Sequence, residues 1–201
     1  IELAPTAVAY AKKNMKTHYI AEIGDAREIN KPDESADVVL LMGPLYHLQN
    51  ESDREKALKE AYRLLKKGGL LIAAGISKFS SATWALSVYG NGCDFIDDDI
   101  YMNMLKLELT TGKHNRPKEY PFIIANAYFH TIDELRNEVR KSGFEIVENH
   151  AVEGCIWITP KLDEKWQDTE SRKRLLDIIH TTEHEETLIG FSPLFLVVGR
   201  K

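Results

Sequence analysis

Residues 35 to 76 read as strand, loop, helix, strand, and few folds accommodate that order. Ala36-Asp37-Val38-Val39-Leu40-Leu41 is a short apolar run rich in β-branched residues, as expected of a strand buried on both faces. The loop Met42-Gly43-Pro44-Leu45-Tyr46-His47-Leu48 follows, with Gly43 and Pro44 to break the strand and Tyr46 and His47 to carry polar chemistry. From Asp53 to Lys67, Ala57, Leu58, Ala61, Tyr62 and Leu65 recur at helical spacing, and Glu55 and Lys59 stand one turn apart. Lys66-Lys67-Gly68-Gly69 is expected to close that helix, with cations in its last turn and glycine just beyond. Leu70 to Ile76 is a second apolar strand. Such a βαβ unit predicts two parallel strands joined by a right-handed crossover.

The alternation begins upstream. Ile1-Glu2-Leu3 reads as the tail of a strand, and Pro5 suits a first helical position before an apolar face of Ala7, Val8, Ala11 and Met15. Tyr19 to Ile23 reads as another strand, ending at Gly24-Asp25-Ala26-Arg27. Parallel α/β is the consequence. Residues 77–129 break the pattern and read as a mostly helical insertion, with helices near Ser81–Tyr89 and Asp97–Thr110 and a turn or mobile segment from Thr111 to Pro121. Regularity returns with the capping-box sequence Thr131-Ile132-Asp133-Glu134, a helix face of Ile132, Leu135 and Val139, and Gly143 as its stop. Phe144 to Val152 reads as a strand, Gly154 to Thr159 as further extended chain, Leu162 to Thr182 as one long amphipathic helix, and Leu194 to Gly199 as a closing buried strand. The whole, residues 1–201, is expected to be a single domain.

Composition narrows the function classes. A net charge of −5 argues against unspecific binding to nucleic acid or an anionic membrane. No apolar run approaches the ~18 residues of a membrane helix. The two cysteines, Cys93 and Cys155, match no metal-ligand spacing and suit a reducing cytoplasm.

Four features, in order and spacing, resemble one family, the class I S-adenosylmethionine-dependent methyltransferases of the type 11 kind. They are Glu2 at a strand end, Gly24-Asp25-Ala26 after the next strand, the run from Asp37 to Leu48, and Leu64-Leu65-Lys66-Lys67-Gly68-Gly69-Leu70-Leu71. The resemblance covers residues 1–76 well and 128–201 in outline. It implies a doubly wound, mostly parallel Rossmann-like sheet whose last strand is antiparallel, with the helical insertion at about 77–129. The family's glycine-rich turn stands one helix before Glu2 and is missing here, together with its strand. Loss of a central strand would leave two strand edges unpaired, so this sequence is expected to be part of a longer chain.

The resemblance also assigns roles. Glu2, with Leu3 beside it, would accept hydrogen bonds from the ribose hydroxyls of S-adenosylmethionine, a task that needs two adjacent acceptor oxygens; a solvated acid is the plainer reading. Asp25 and the Ala26 amide would meet the adenine, or Asp25 would cap a turn. Tyr46 and the carbonyls of Leu41 and Met42 would face the cationic sulfur. Tyr46 and His47 are the catalytic candidates, His47 as a base for an oxygen or nitrogen nucleophile; Tyr46 packed under the loop and His47 capping the next helix is the alternative. The insertion reads as a lid over an apolar acceptor or as an added packed layer. Asp97-Asp98-Asp99 reads as a helix start, and His180 and His184 as a solvated helix end rather than a metal site. No metal is expected. The implied partner is a small-molecule acceptor, with homo-oligomerisation left open. A nicotinamide-dependent oxidoreductase and a non-catalytic methyltransferase-like binding module are the rival readings.

Overall fold

The computed structural model describes residues 1–201. Its central sheet has four strands: β1 (Ala36–Leu41), β2 (Leu65–Ile76), β5 (Glu145–Ala151) and β6 (Leu194–Arg200), in the order β1-β2-β6-β5. β1 and β2 run parallel, with Val39 opposite Leu71 and Leu41 opposite Ala73. β6 lies antiparallel between β2 and β5. The expected Rossmann-like sheet with an antiparallel closing strand is therefore present. Among its hydrogen-bonded strands one pairing is parallel and two are antiparallel, because β6 separates β2 from β5.

The crossover from β1 to β2 is made by α2 (Pro44–His47) and α3 (Glu51–Leu64). α3 buries Ala57, Leu58, Ala61 and Leu64 on one face, and Glu55 and Lys59 pair across one turn outside. It ends earlier than its periodicity suggests. Leu65 already pairs with Ala36, so Lys66-Lys67-Gly68-Gly69 belong to β2, and Lys66 pairs with Asp37 at 2.9 Å instead of closing a helix. β1 also departs from expectation: Leu41 is buried, while Val38 and Leu40 are 49% and 58% exposed. As the end strand of the sheet, β1 packs one face on the core and turns the other to solvent.

The strands expected at residues 1–3 and 19–23 reduce to a single parallel bridge between Glu2 and Ile23, on either side of α1 (Pro5–Lys13). The segment 77–129 holds α4 (Ser80–Val88), α5 (Asp99–Thr111) and a two-stranded ribbon, β3 (Lys113–His114) with β4 (Ala127–Tyr128). The ribbon replaces the turn or mobile segment expected after Thr111. Gly112 makes it with φ +76°, where an added Cβ would lie 2.6 Å from the Phe129 carbonyl. The Asp98 side chain accepts from the Ile100 amide, capping α5 as its three-aspartate start suggested.

α6 (Ile132–Lys141) carries the full capping box and buries Leu135 and Val139. Residues 156–158 form a 3-10 turn rather than extended chain. The long helix expected at 162–182 is two, α7 (Leu162–Gln167) and α8 (Thr169–Thr182), because Asp168 leaves the helical conformation and its carboxylate caps the second. α9 (Glu186–Ile189) precedes β6. The main core joins Leu45 of α2, Leu58 of α3, Leu71 and Ala73 of β2, Leu135 of α6 and Phe195 of β6. No helix is long and apolar enough to cross a membrane.

Candidate functional site

Parallel strands present their carboxyl ends to ligands in α/β folds, and here those ends are Leu41 of β1 and Ile76 of β2. Leu41 belongs to the core, while the next residue, Met42, is exposed. The chain then turns through Gly43 into the single turn of α2, which Pro44 opens at its first position. Tyr46 folds back so that its hydroxyl donates to the Met42 carbonyl at 2.8 Å. Its ring lies 4.8 Å from that of His47, and partial burial raises its phenol above the usual range. His47 is exposed.

This loop is bolted to the rest of the molecule by buried polar groups. Gln49 donates to the carbonyls of His114 and Ala127, both at 3.1 Å, and to Asn115 at 2.8 Å. Arg54 of α3, 2% exposed, donates to the carbonyls of Leu48 and Gln49 at 3.0 Å. The same guanidinium forks onto Glu138 of α6, with its shortest contact at 2.7 Å, and lies 3.8 Å over the Tyr128 ring. His130, fully buried, has Nε2 3.4 Å from Glu138. Burial pushes the His130 imidazole below its ordinary range. For Glu138, burial alone would raise the carboxyl, but contacts with His130 and Arg54 outweigh it and hold the group low.

At the front of the chain, Glu2 is exposed and its Oε1 accepts from the Ala4 amide at 2.9 Å, at the start of α1. Oε2 has no protein partner among the hydrogen bonds. Leu3 is exposed beside it. Asp25 is more committed: Arg27 bonds both of its oxygens, at 2.6 Å to Oδ2 and 3.0 Å to Oδ1, and its backbone amide adds a third contact. These bonds hold the Asp25 carboxyl below the usual range. Ala26 packs against the core. The structure thus joins Glu2 to Ile23, two residues before Asp25, through the bridge, and Tyr46 to Met42 and His47 in one turn.

One open, mostly apolar pocket went unassigned by sequence reasoning. A cavity of about 300 Å³ lies beyond the end of β2, lined by Ile76, Ser80, Ser81, Trp84, Tyr101, Met104, His114, Phe129 and Trp157 among others. Its walls come from α4, α5, the ribbon and the 3-10 turn at 156–158, so its only sequence signal was the aromatic content of segment 77–129. Beneath it the buried Glu108 takes His114 Nδ1 at 2.7 Å and the Ser81 hydroxyl at 3.0 Å, leaving its Oε1 without a protein partner. Through Gln49 the wall residue His114 is tied to the Tyr46 loop. A larger hollow of about 550 Å³ sits within the 116–126 loop, away from the sheet; the Arg116 guanidinium there faces the carbonyls of Pro121 and Ile123.

Comparison with known proteins agrees with the architecture. Residues 1–73 match the family model described as methyltransferase domain. Over 138 residues the chain is 26% identical to the ubiquinone/menaquinone biosynthesis C-methyltransferase UbiE of Pseudoalteromonas translucida, taking in 65% of this chain and 50% of that protein. The chain thus spans about half the length of the curated relative it matches. Among solved structures, a methyltransferase dependent on S-adenosylmethionine from Mesorhizobium loti aligns with TM-score 0.60 at 14% identity, over 99% of this chain and 77% of that one. Another from Thermotoga maritima aligns with TM-score 0.55 at 22% identity, over 100% of this chain and 71% of that one. The chain carries the fold of these S-adenosylmethionine-dependent methyltransferases, and its residues 1–73 match the methyltransferase-domain model.

Proposed function

We propose that the protein is an enzyme that methylates a small apolar molecule using S-adenosylmethionine. The observation that carries the acceptor half is the apolar cavity at the end of β2, whose ~300 Å³ suits a ligand of one or two rings. The donor half rests on the chemistry of the groups around the strand ends. Glu2 keeps a carboxylate oxygen free to accept from a ribose hydroxyl, while its other oxygen is fixed on Ala4. Asp25 accepts from an adenine amino group in place of part of its present contact with Arg27, and Ala26 offers its amide beside it. The carbonyls of Leu41 and Met42, the second already accepting from the Tyr46 hydroxyl, and the ring of Tyr46 give a cation carbonyl dipoles and a π face.

When bound, S-adenosylmethionine supplies an electrophilic methyl group on a positively charged sulfur. The protein's share of a direct displacement is alignment and exclusion of water. Trp84, Tyr101 and Phe129 hold an apolar acceptor and keep solvent out, so segment 77–129 acts as its lid. His47, exposed beside Tyr46, takes the proton of an oxygen or nitrogen nucleophile where the acceptor has one to lose. The free thiols of Cys93 and Cys155 fit a reducing, cytoplasmic setting.

The test is production of S-adenosylhomocysteine when the protein is incubated with S-adenosylmethionine and a panel of small phenols, quinols and aromatic amines. Turnover with at least one member, sharply reduced by Trp84→Ala, supports the reading. No turnover with any member, together with no binding of S-adenosylhomocysteine, overturns it.

A further inference from the structure

We propose a second site, for a divalent metal ion of the zinc type, built from residues the reaction does not use, on the edge strand β5 and the turn after α8. Glu148 and His150 stand at i and i+2 on β5, so both side chains leave the same face of the strand. His184 reaches them from the turn that follows α8, and one ligand atom from each of Glu148, His150 and His184 lies within 4.8 Å of the others. The Glu148 carboxylate is 3.2 Å from His150 Nε2. The two imidazole centroids are 4.3 Å apart.

The group is organised before any ion arrives. His184 Nδ1 lies 3.0 Å from the backbone carbonyl of Asn149, to which it donates, and this leaves Nε2 as the free ligand atom. That is the second-sphere bond that orients metal-bound histidines. The Ala151 amide donates to the Glu183 carbonyl at 2.8 Å and pins the turn to the strand. A second carboxylate, Glu183, lies 3.9 Å from both His150 Nδ1 and His184 Nε2 and adds negative charge beside the ion. Two imidazoles and a carboxylate, with a water completing the set, are the donors that zinc and its neighbours prefer over magnesium or calcium. His180, which the helical spacing paired with His184, stays outside the group, 3.5 Å from Glu183 on the solvent side. The ion would tie an edge strand to the end of α8, so its effect is on stability and not on methyl transfer.

The experiment uses untagged protein freed of metal by chelation. Calorimetry with Zn²⁺ should show one saturable site per chain, and Co²⁺ should develop the visible absorption of a four-coordinate complex. His150→Ala and His184→Ala should each weaken binding by at least ~10-fold, the loss that even outer-sphere partners produce. His180→Ala should leave it unchanged. All three positions are at least partly solvent-exposed, and circular dichroism checks that each variant folds. Absence of saturable binding to the wild type, or binding that survives in the His150→Ala/His184→Ala double variant, overturns the proposal.

Discussion

Arg54→Met should be among the most damaging single substitutions that leave the apolar core untouched. The guanidinium is 2% exposed and meets four neighbours at once: the Glu138 carboxylate, the carbonyls of Leu48 and Gln49, and the face of Tyr128. Methionine keeps much of the volume and removes every donor. What remains is a Glu138 side chain, 11% exposed, whose charge then has only His130 beside it. Breaking a buried pair by removing one partner costs about 3–5 kcal/mol, most of it the desolvation of the orphaned charge. For a chain of this size each kcal/mol lowers Tm by roughly 2–4 °C, so a fall of about 6–20 °C is expected. Urea unfolding followed by circular dichroism gives the same quantity at constant temperature. The double variant Arg54→Met/Glu138→Leu, which removes both charges, should recover most of the loss. A single variant within about 1 kcal/mol of wild type, or a double variant no more stable than the single, would refute the reasoning.

Two further outcomes follow from the structure. His130 and Glu138 both titrate below their ordinary ranges, so the unfolded chain binds more protons than the folded one wherever either group is half-charged. Their contribution is complete above about pH 6.5 and falls with pH, first through His130 and then, below about pH 4.3, through Glu138. The urea midpoint should therefore drop between pH 7 and pH 5, less so in His130→Gln, and a flat wild-type profile would contradict this. Gly75→Ala should cost about 1–3 kcal/mol by urea unfolding, because the new Cβ would lie 2.9 Å from the Phe195 ring across the β2–β6 ladder; an unchanged midpoint would show that the ring has room to yield.

The βαβ unit was legible because its signals are local. Ala57, Leu58 and Ala61 repeat at the helical period, Gly43 and Pro44 mark the turn, and both strands are apolar runs. The helices of segment 77–129 and the capping box at Thr131 were legible for the same reason. Errors arose where a distant partner decided. Leu65 leaves α3 because Ala36 pairs with it, and no window around Lys66 contains that fact. The Arg54–Glu138 pair joins residues 84 positions apart, and the His150–His184 contact joins a strand to a turn beyond two helices. At the candidate site, order along the chain pointed to Glu2, Asp25 and Tyr46, but only coordinates reveal that Arg27 already occupies both Asp25 oxygens. The acceptor cavity is the extreme case, since its lining is drawn from five separated stretches between Ile76 and Leu194.

Calorimetric titration of the protein with S-adenosylhomocysteine addresses the donor site without knowledge of the acceptor. Saturable binding at one site, weakened at least ~10-fold by Glu2→Ala through loss of charge-assisted hydrogen bonds to the ribose, is the expected result. A folded wild-type protein that takes up none, or a Glu2→Ala variant that binds as well as wild type, would contradict the role assigned to that carboxylate.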